Sequence, residues 1–441
     1  MLILIAVGLL LTSATQFRLR GLGLGPGEVC LVLWIALTAV RELLRGGPPV
    51  TPALSRMFRF WMLIALAEAL GALNGYAMGD PHDTALFRHD LLAYPLVGAV
   101  GCLLLAGPQA EVRLHRLARV FLMLAAVALT LQLAAAWGIL RISFIEPWFG
   151  NRFRGWSSNS NQLAFFCAVY VLVALHIADS ARRPRQRVGA VVCSIPAIVV
   201  GHLTKTDSFT FALAAALPLF LVMKLRMWTI LSVPRRTFRP TLAALVVLAA
   251  PLLLISFAPL VASAVGHPES LAMGVMKGGG KEAAHETDLR LELWSLAVQR
   301  GLEANMLGLG PGPHLPMPSS IVAARAMDST PDVDSHPALG GVPNFEAHNT
   351  PLDLFTQGGL IAVLALAWLM TSSFLISCRE QAAGLSALVC GLAVFSMTNF
   401  TLREPMFWFG IALCLAPAHT LLGRRQAVEA SSYHRTLGPH S

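Results

Sequence analysis

The chain has 441 residues, 55% of them hydrophobic and 13% charged, with a mean hydropathy of +0.64. A soluble globular protein carries nearer a quarter charged residues, so the composition excludes that class and points to a polytopic membrane protein. A net charge of +9 is what cytoplasmic loops beside anionic lipid call for; it is weak ground for nucleic acid, and no nucleic-acid partner is expected.

Apolar windows predict an all-α transmembrane bundle of about twelve spans, near 1–15, 23–40, 57–78, 91–107, 119–140, 162–178, 188–203, 209–223, 240–264, 358–377, 382–399 and 406–422. The first window lacks a basic region ahead of it and reads as an uncleaved span rather than a signal peptide. The chain then divides into nine helices over 1–264, a large polar outer loop at 265–352 with short helices, three helices over 353–422, and a polar tail at 423–441. All seven cysteines lie in or beside apolar runs, so no disulfide framework is expected in the loop, and no His/Cys cluster suggests a metal.

Orientation follows from Lys and Arg. Of 33 such residues, 20 fall in alternate short segments together with the C-terminal tail, 8 in the opposite short segments and 5 in the long loop. Long loops do not set topology, so both termini are expected in the cytoplasm and 265–352 outside.

Several outer cations run against that bias. Arg152 and Arg154 lie in Asn151–Asn161, Lys205 in Leu203–Ser208, and Arg290 in the long loop. Arginine matches phosphate oxygens bidentately and lysine adds a compact charge. At the membrane surface the expected anion is a lipid pyrophosphate. Asn159 and Asn161 can read hydroxyl groups, and Trp156 can stack on a sugar face. His348, in Ala347-His348-Asn349-Thr350-Pro351-Leu352, closes the polar loop where the chain re-enters the membrane, and can accept a proton from an attacking hydroxyl. Together these parts suit transfer of a glycan from a polyprenyl diphosphate to a hydroxyl acceptor. Plainer readings stand beside them: a capping role for His348, lipid-headgroup contacts for Arg152 and Arg154, a Lys205–Asp207 pair, and a solvated face for Arg290 on the Leu289, Leu293, Leu296 and Ala297 helix. Gly308–Pro313 reads as loop punctuation, His314 as an ordinary loop histidine, and Glu68 as an intramembrane carboxylate that is a functional candidate by default.

The order of four blocks resembles the O-antigen ligase/polymerase family of membrane glycosyltransferases. The blocks are Arg152-Phe-Arg154-Gly155 with Asn159-Ser-Asn161; Thr204-Lys205 through Ser208; Asp288-Leu-Arg290 to Trp294 with Leu307 to Gly312; and His348-Asn349 with Gly358-Gly359. The resemblance implies a metal-independent, cofactor-free inverting transfer at the outer, periplasmic face of a bacterial inner membrane. It makes His348 the catalytic base or acceptor-orienting group and has Arg154 and Arg290 bind the diphosphate with Lys205 assisting; Arg152, Asn159, Asn161, Trp156 and Asn349 complete the expected substrate-binding set. The implied partners are a polyprenyl-diphosphate-linked glycan, membrane lipid and a hydroxyl acceptor: lipid A core, another lipid-linked repeat or another glycan. The alternatives are a transporter or flippase of lipid-linked saccharide, for which internal repeats are missing, and a scaffold subunit of an envelope-polysaccharide assembly complex.

Overall fold

The computed structural model describes residues 1–18, 25–80, 83–107, 109–140, 145–231, 281–316 and 345–416. The predicted span at 240–264, half of the loop at 265–352 and the tail at 423–441 lie outside the described residues. The helices are α1 (Leu2–Leu11), α2 (Pro26–Leu44), α3 (Pro52–Met78), α4 (Thr84–Leu105), α5 (Ala110–Ala136), α6 (Ser160–Ser180), α7 (Pro184–Leu203), α8 (Asp207–Leu231), α9 (Lys281–Glu303), α10 (Thr350–Arg379), α11 (Ala383–Ser396) and α12 (Pro405–Leu415). A two-stranded hairpin, β1 (Trp148–Phe149) and β2 (Arg152–Phe153), precedes α6.

Helix starts follow local chemistry. Pro26, Pro52, Pro184 and Pro405 open α2, α3, α7 and α12, where the missing N–H costs nothing and φ is already helical. Thr51 accepts from Leu54 N, and Asp83 from Ala85 N and Leu86 N, which caps α3 and α4.

Among the described residues seven helices, α3 to α8 and α10, are long and apolar enough to cross a membrane. The windows at 1–15 and 382–399, expected as full spans, hold helices of 10 and 14 residues, while α12 is described from Pro405 to Leu415 and residues 417–422 of the 406–422 window lie outside the described residues. At 1.5 Å per residue α1 and α11 reach only about 15–21 Å, short of a bilayer core of about 30 Å. The two near the centre, α11 and α12, are buried along almost their whole length, with α6 beside them, as helices apolar on every side should be. The peripheral helices carry outward stripes instead: Val188, Val192, Ile195 and Val199 on α7, and Leu63, Leu66, Leu70 and Leu73 on α3.

The segment 304–312 is docked between α3 and α10. Leu309 N donates to the Thr356 and Gln357 carbonyls, Gly310 N to Gln357 O at 2.8 Å, and Leu360 N to Met306 O at 2.9 Å. These bonds satisfy groups freed where α10 breaks at Gly359 (φ 65°, ψ −158°), a conformation open essentially only to glycine. The Asn74 amide on α3 donates to Ala304 O and Gly308 O. A Cβ on Gly71 would sit 2.2 Å from Gln357 O, and one on Gly308 2.1 Å from the same oxygen. Gly308–Gly312, expected to be mere loop punctuation, is a packed joint between three elements.

Candidate active site

The segment 345–349 is held from two sides before α10 begins. Phe345 pairs with Leu315 in an antiparallel bridge, and the Trp294 indole of α9 donates to Ala347 O at 3.2 Å. Leu293 and Ala297 of α9 pack with Ala347 and Leu315, so the predicted Leu289–Leu293–Ala297 stripe faces this loop. His348 stands at φ 51°, a left-handed conformation that L-residues with a Cβ adopt uncommonly. The Asp353 carboxylate, in the first turn of α10, accepts Ala347 N at 2.7 Å and Asn349 N at 3.1 Å.

The His348 side chain is exposed and meets Phe345 edge-on at 5.5 Å. Desolvation by the protein packed around it lowers its pKa below the ordinary imidazole value; Glu346 opposes the shift, and the Arg290 and Arg403 cations add to it. Asn349 is buried and fully engaged. Its Oδ1 caps α10 by accepting Leu352 N at 3.2 Å, and its Nδ2 donates to Met397 O at 2.9 Å.

The turn at 397–404, between α11 and α12, gathers the other parts. Thr350 Oγ1 donates to Asn399 O at 2.7 Å, and Asn399 Nδ2 donates to Ser208 Oγ in the first turn of α8 at 3.0 Å. Arg290 reaches Thr398 O over a long 3.5 Å. Thr206 Oγ1 donates to Asn161 Oδ1 at 3.2 Å, which ties the Lys205 turn to the start of α6. Lys205 is exposed, at φ 50°. The second, third and fourth sequence blocks therefore meet around one turn, and the first joins them through Asn161 and Thr206.

The first block is the most occupied. Arg154 pairs with the exposed Glu146 carboxylate at 2.7 Å, donates to Glu146 O, and lies over the Phe149 ring at 5.4 Å. Arg152 belongs to the hairpin, opposite Phe149. Gly155 stands at φ 55° with Gln132 as its close neighbour, whose Oε1 would lie 2.0 Å from an added Cβ and accepts Trp156 N. Trp156 packs edge-on against Phe17 at 5.6 Å. Asn159 caps α6 by accepting Asn161 N at 2.8 Å.

Residues that sequence reasoning passed over complete the centre. Arg403 had been counted only as an outer cation. It pairs with Glu346 and, at 2.8 Å, with the fully buried Asp90 of α4, and its guanidinium lies 4.6 Å from the Phe400 centroid. Burial alone would lower its pKa, but the Glu346 and Asp90 carboxylates reverse this and hold it well above the ordinary arginine range. Glu404 receives a hydrogen bond from Gln162 at 3.1 Å, and burial raises it to about 7 against the pull of Arg403. Tyr94 of α4 donates to Gln357 at the break in α10. His314 is buried rather than an ordinary loop residue: its Nδ1 lies 3.4 Å from the Asp80 carboxylate, which also pairs with Arg300. Asp90 and Tyr94 could have been flagged as polar groups inside an apolar window; nothing local marks Arg403 as their partner.

With this geometry in place the comparisons can be weighed. No curated protein matches the chain. The family model described as O-antigen ligase matches residues 189–367, a stretch that holds Lys205, Arg290, His348, Asn349 and Asp353, with the 150–161 block before it and Arg403 after it. Over residues 189–367, about two fifths of its length, this multi-pass chain is similar to the O-antigen ligase family.

Proposed function

We propose that the protein transfers a glycan from a polyprenyl diphosphate carrier to a hydroxyl acceptor at the outer face of a bacterial inner membrane, with both termini in the cytoplasm. The observation that supports this reading best is the hydrogen-bonded linkage of the His348–Asn349, Arg290 and Lys205 segments at the 397–404 turn, with the start of α6 joined through Thr206. The reading is one of O-antigen ligase or of O-antigen or exopolysaccharide polymerase. The two differ in acceptor and share donor chemistry.

In the proposed step neutral His348 takes the proton of the acceptor hydroxyl as its oxygen attacks the anomeric carbon. The carbon–oxygen bond to the diphosphate breaks with the electron pair leaving on phosphate oxygen, and in-line attack inverts the centre. Arg290 and Lys205, with Arg154 once Glu146 yields its guanidinium, neutralise the leaving diphosphate. Arg152 adds charge, and Asn159, Asn161, Trp156 and Asn349 shape the walls through the contacts described above. A positioned base contributes about 10²–10⁴-fold, and a diphosphate already leaves readily, so the reaction is proposed to run without a metal. The test is turnover of a purified, membrane-reconstituted protein with a polyprenyl-diphosphate glycan and alternative acceptors, with and without EDTA. His348→Ala should lose turnover and keep donor binding, and the wild type should keep activity in EDTA. Full turnover in His348→Ala would remove the base from the mechanism.

A further inference from the structure

We propose that Asp353 is the positioning residue for His348, a role that rests on the base assignment above. The Asp353 carboxylate accepts the N–H of Ala347 and the N–H of Asn349, the two residues that flank His348. One carboxylate thus straddles the histidine and closes its backbone into the left-handed turn at φ 51°. Asp353 is itself buried, so water does not compete strongly for these bonds.

An ordinary helix start does not call for this arrangement. In a capping box the N-cap side chain takes the N–H three residues on, and the residue there reaches back to the N-cap N–H. Asn349 makes the forward bond to Leu352 N. The return bond comes from one residue later, Asp353, and so extends past Asn349 to Ala347. A cap requires only the Asn349 bond. The second bond, across His348, serves the conformation of that residue. The imidazole so held lies edge-on to Phe345 at 5.5 Å, within electrostatic reach of Glu346 of its own segment, Arg290 of α9 and Arg403 of the 397–404 turn.

The test is Asp353→Asn, which keeps one acceptor oxygen but turns amide donors toward a backbone N–H. Turnover is divided by the donor-binding capacity of the same preparation, so that loss of folded protein is not counted as loss of chemistry. We expect turnover per binding molecule to fall about 10- to 100-fold, as for a misplacement near 1 Å. We also expect the acid limb of the pH profile to move upward toward an ordinary imidazole value near ~6.5, because the ring leaves the crowded, cationic setting that lowers it. Unchanged turnover, or a loss with an unmoved acid limb, would overturn the proposal and leave Asp353 as a cap. If Asp353→Asn yields no folded protein, Asp353→Glu, which keeps the charge and displaces it by one methylene, is judged by the same two measurements. Full activity in His348→Ala would overturn the base assignment itself, whereas an inactive His348→Ala with a fully active Asp353→Asn would overturn only the role of Asp353.

Discussion

A histidine that acts as a base must be neutral when the hydroxyl arrives, and the surroundings of His348 favour that state. Its pKa is lowered by the protein packed around it and by two arginines, so activity should persist at mildly acid pH and fall only as pH drops through that lowered value. Arg290→Gln removes one of the cations. The acid limb should move upward, and loss of a charge-assisted contact of roughly 1.5–3 kcal/mol should weaken transfer by about ten- to hundred-fold. A pH–rate series on the two proteins checks both effects. His348, Arg290 and Lys205 were legible in the sequence because charged and imidazole side chains at a membrane boundary are poor packing residues. Arg403, Glu346 and Asp353 were not, since their meaning lies in partners: Arg403 and Asp90 are 313 positions apart, and the bonds from Ala347 and Asn349 to Asp353 depend on a turn that no periodicity predicts. Asn159 and Asn349 illustrate the converse, because an asparagine before a helix suits a cap as well as a ligand.

Among the elements, α10 departs most from its hydropathy pattern. The apolar window at 358–377 located its membrane half but missed the eight residues before it and the break at Gly359, because the break is imposed by the segment docked against it. Gly359→Ala would force a Cβ to within 2.1 Å of Met306 O in a conformation closed to alanine. We expect a loss of roughly 1–3 kcal/mol from backbone strain alone, with a further cost from the clash. Thermal unfolding in detergent should show it, and transfer activity should fall with it. Gly189→Ala on α7, where nothing lies within 4 Å, is the matched control and should be neutral or stabilising by roughly 0.5–1 kcal/mol.

For the whole molecule, helix positions were largely legible from hydropathy. The connections expected to be outer do gather at one end, where Gln16, the 145–161 segment, the Lys205 turn and the 397–404 turn touch. Cysteine labels at Ser329 and Ser431, placed in a background lacking the seven native cysteines, should react from opposite sides of the membrane. Reaction from the same side would break the proposed topology and the site built on it. The length of α11 was less legible, because that helix is apolar for burial within protein and does not need bilayer length. The joint at 304–312 also has a bearing on biogenesis. Its partners are Gly71, Asn74 and Gly75 on α3, made early in translation, and Gln357 to Leu360 on α10, made nearly three hundred residues later. Neither partner alone can seat the segment, so α3 must wait in the bilayer with that face unfilled until α10 has emerged from the ribosome. The reacting end of the protein is thereby assembled last, and a nascent chain cut short before α10 should hold its early helices in the membrane with no seat for His348.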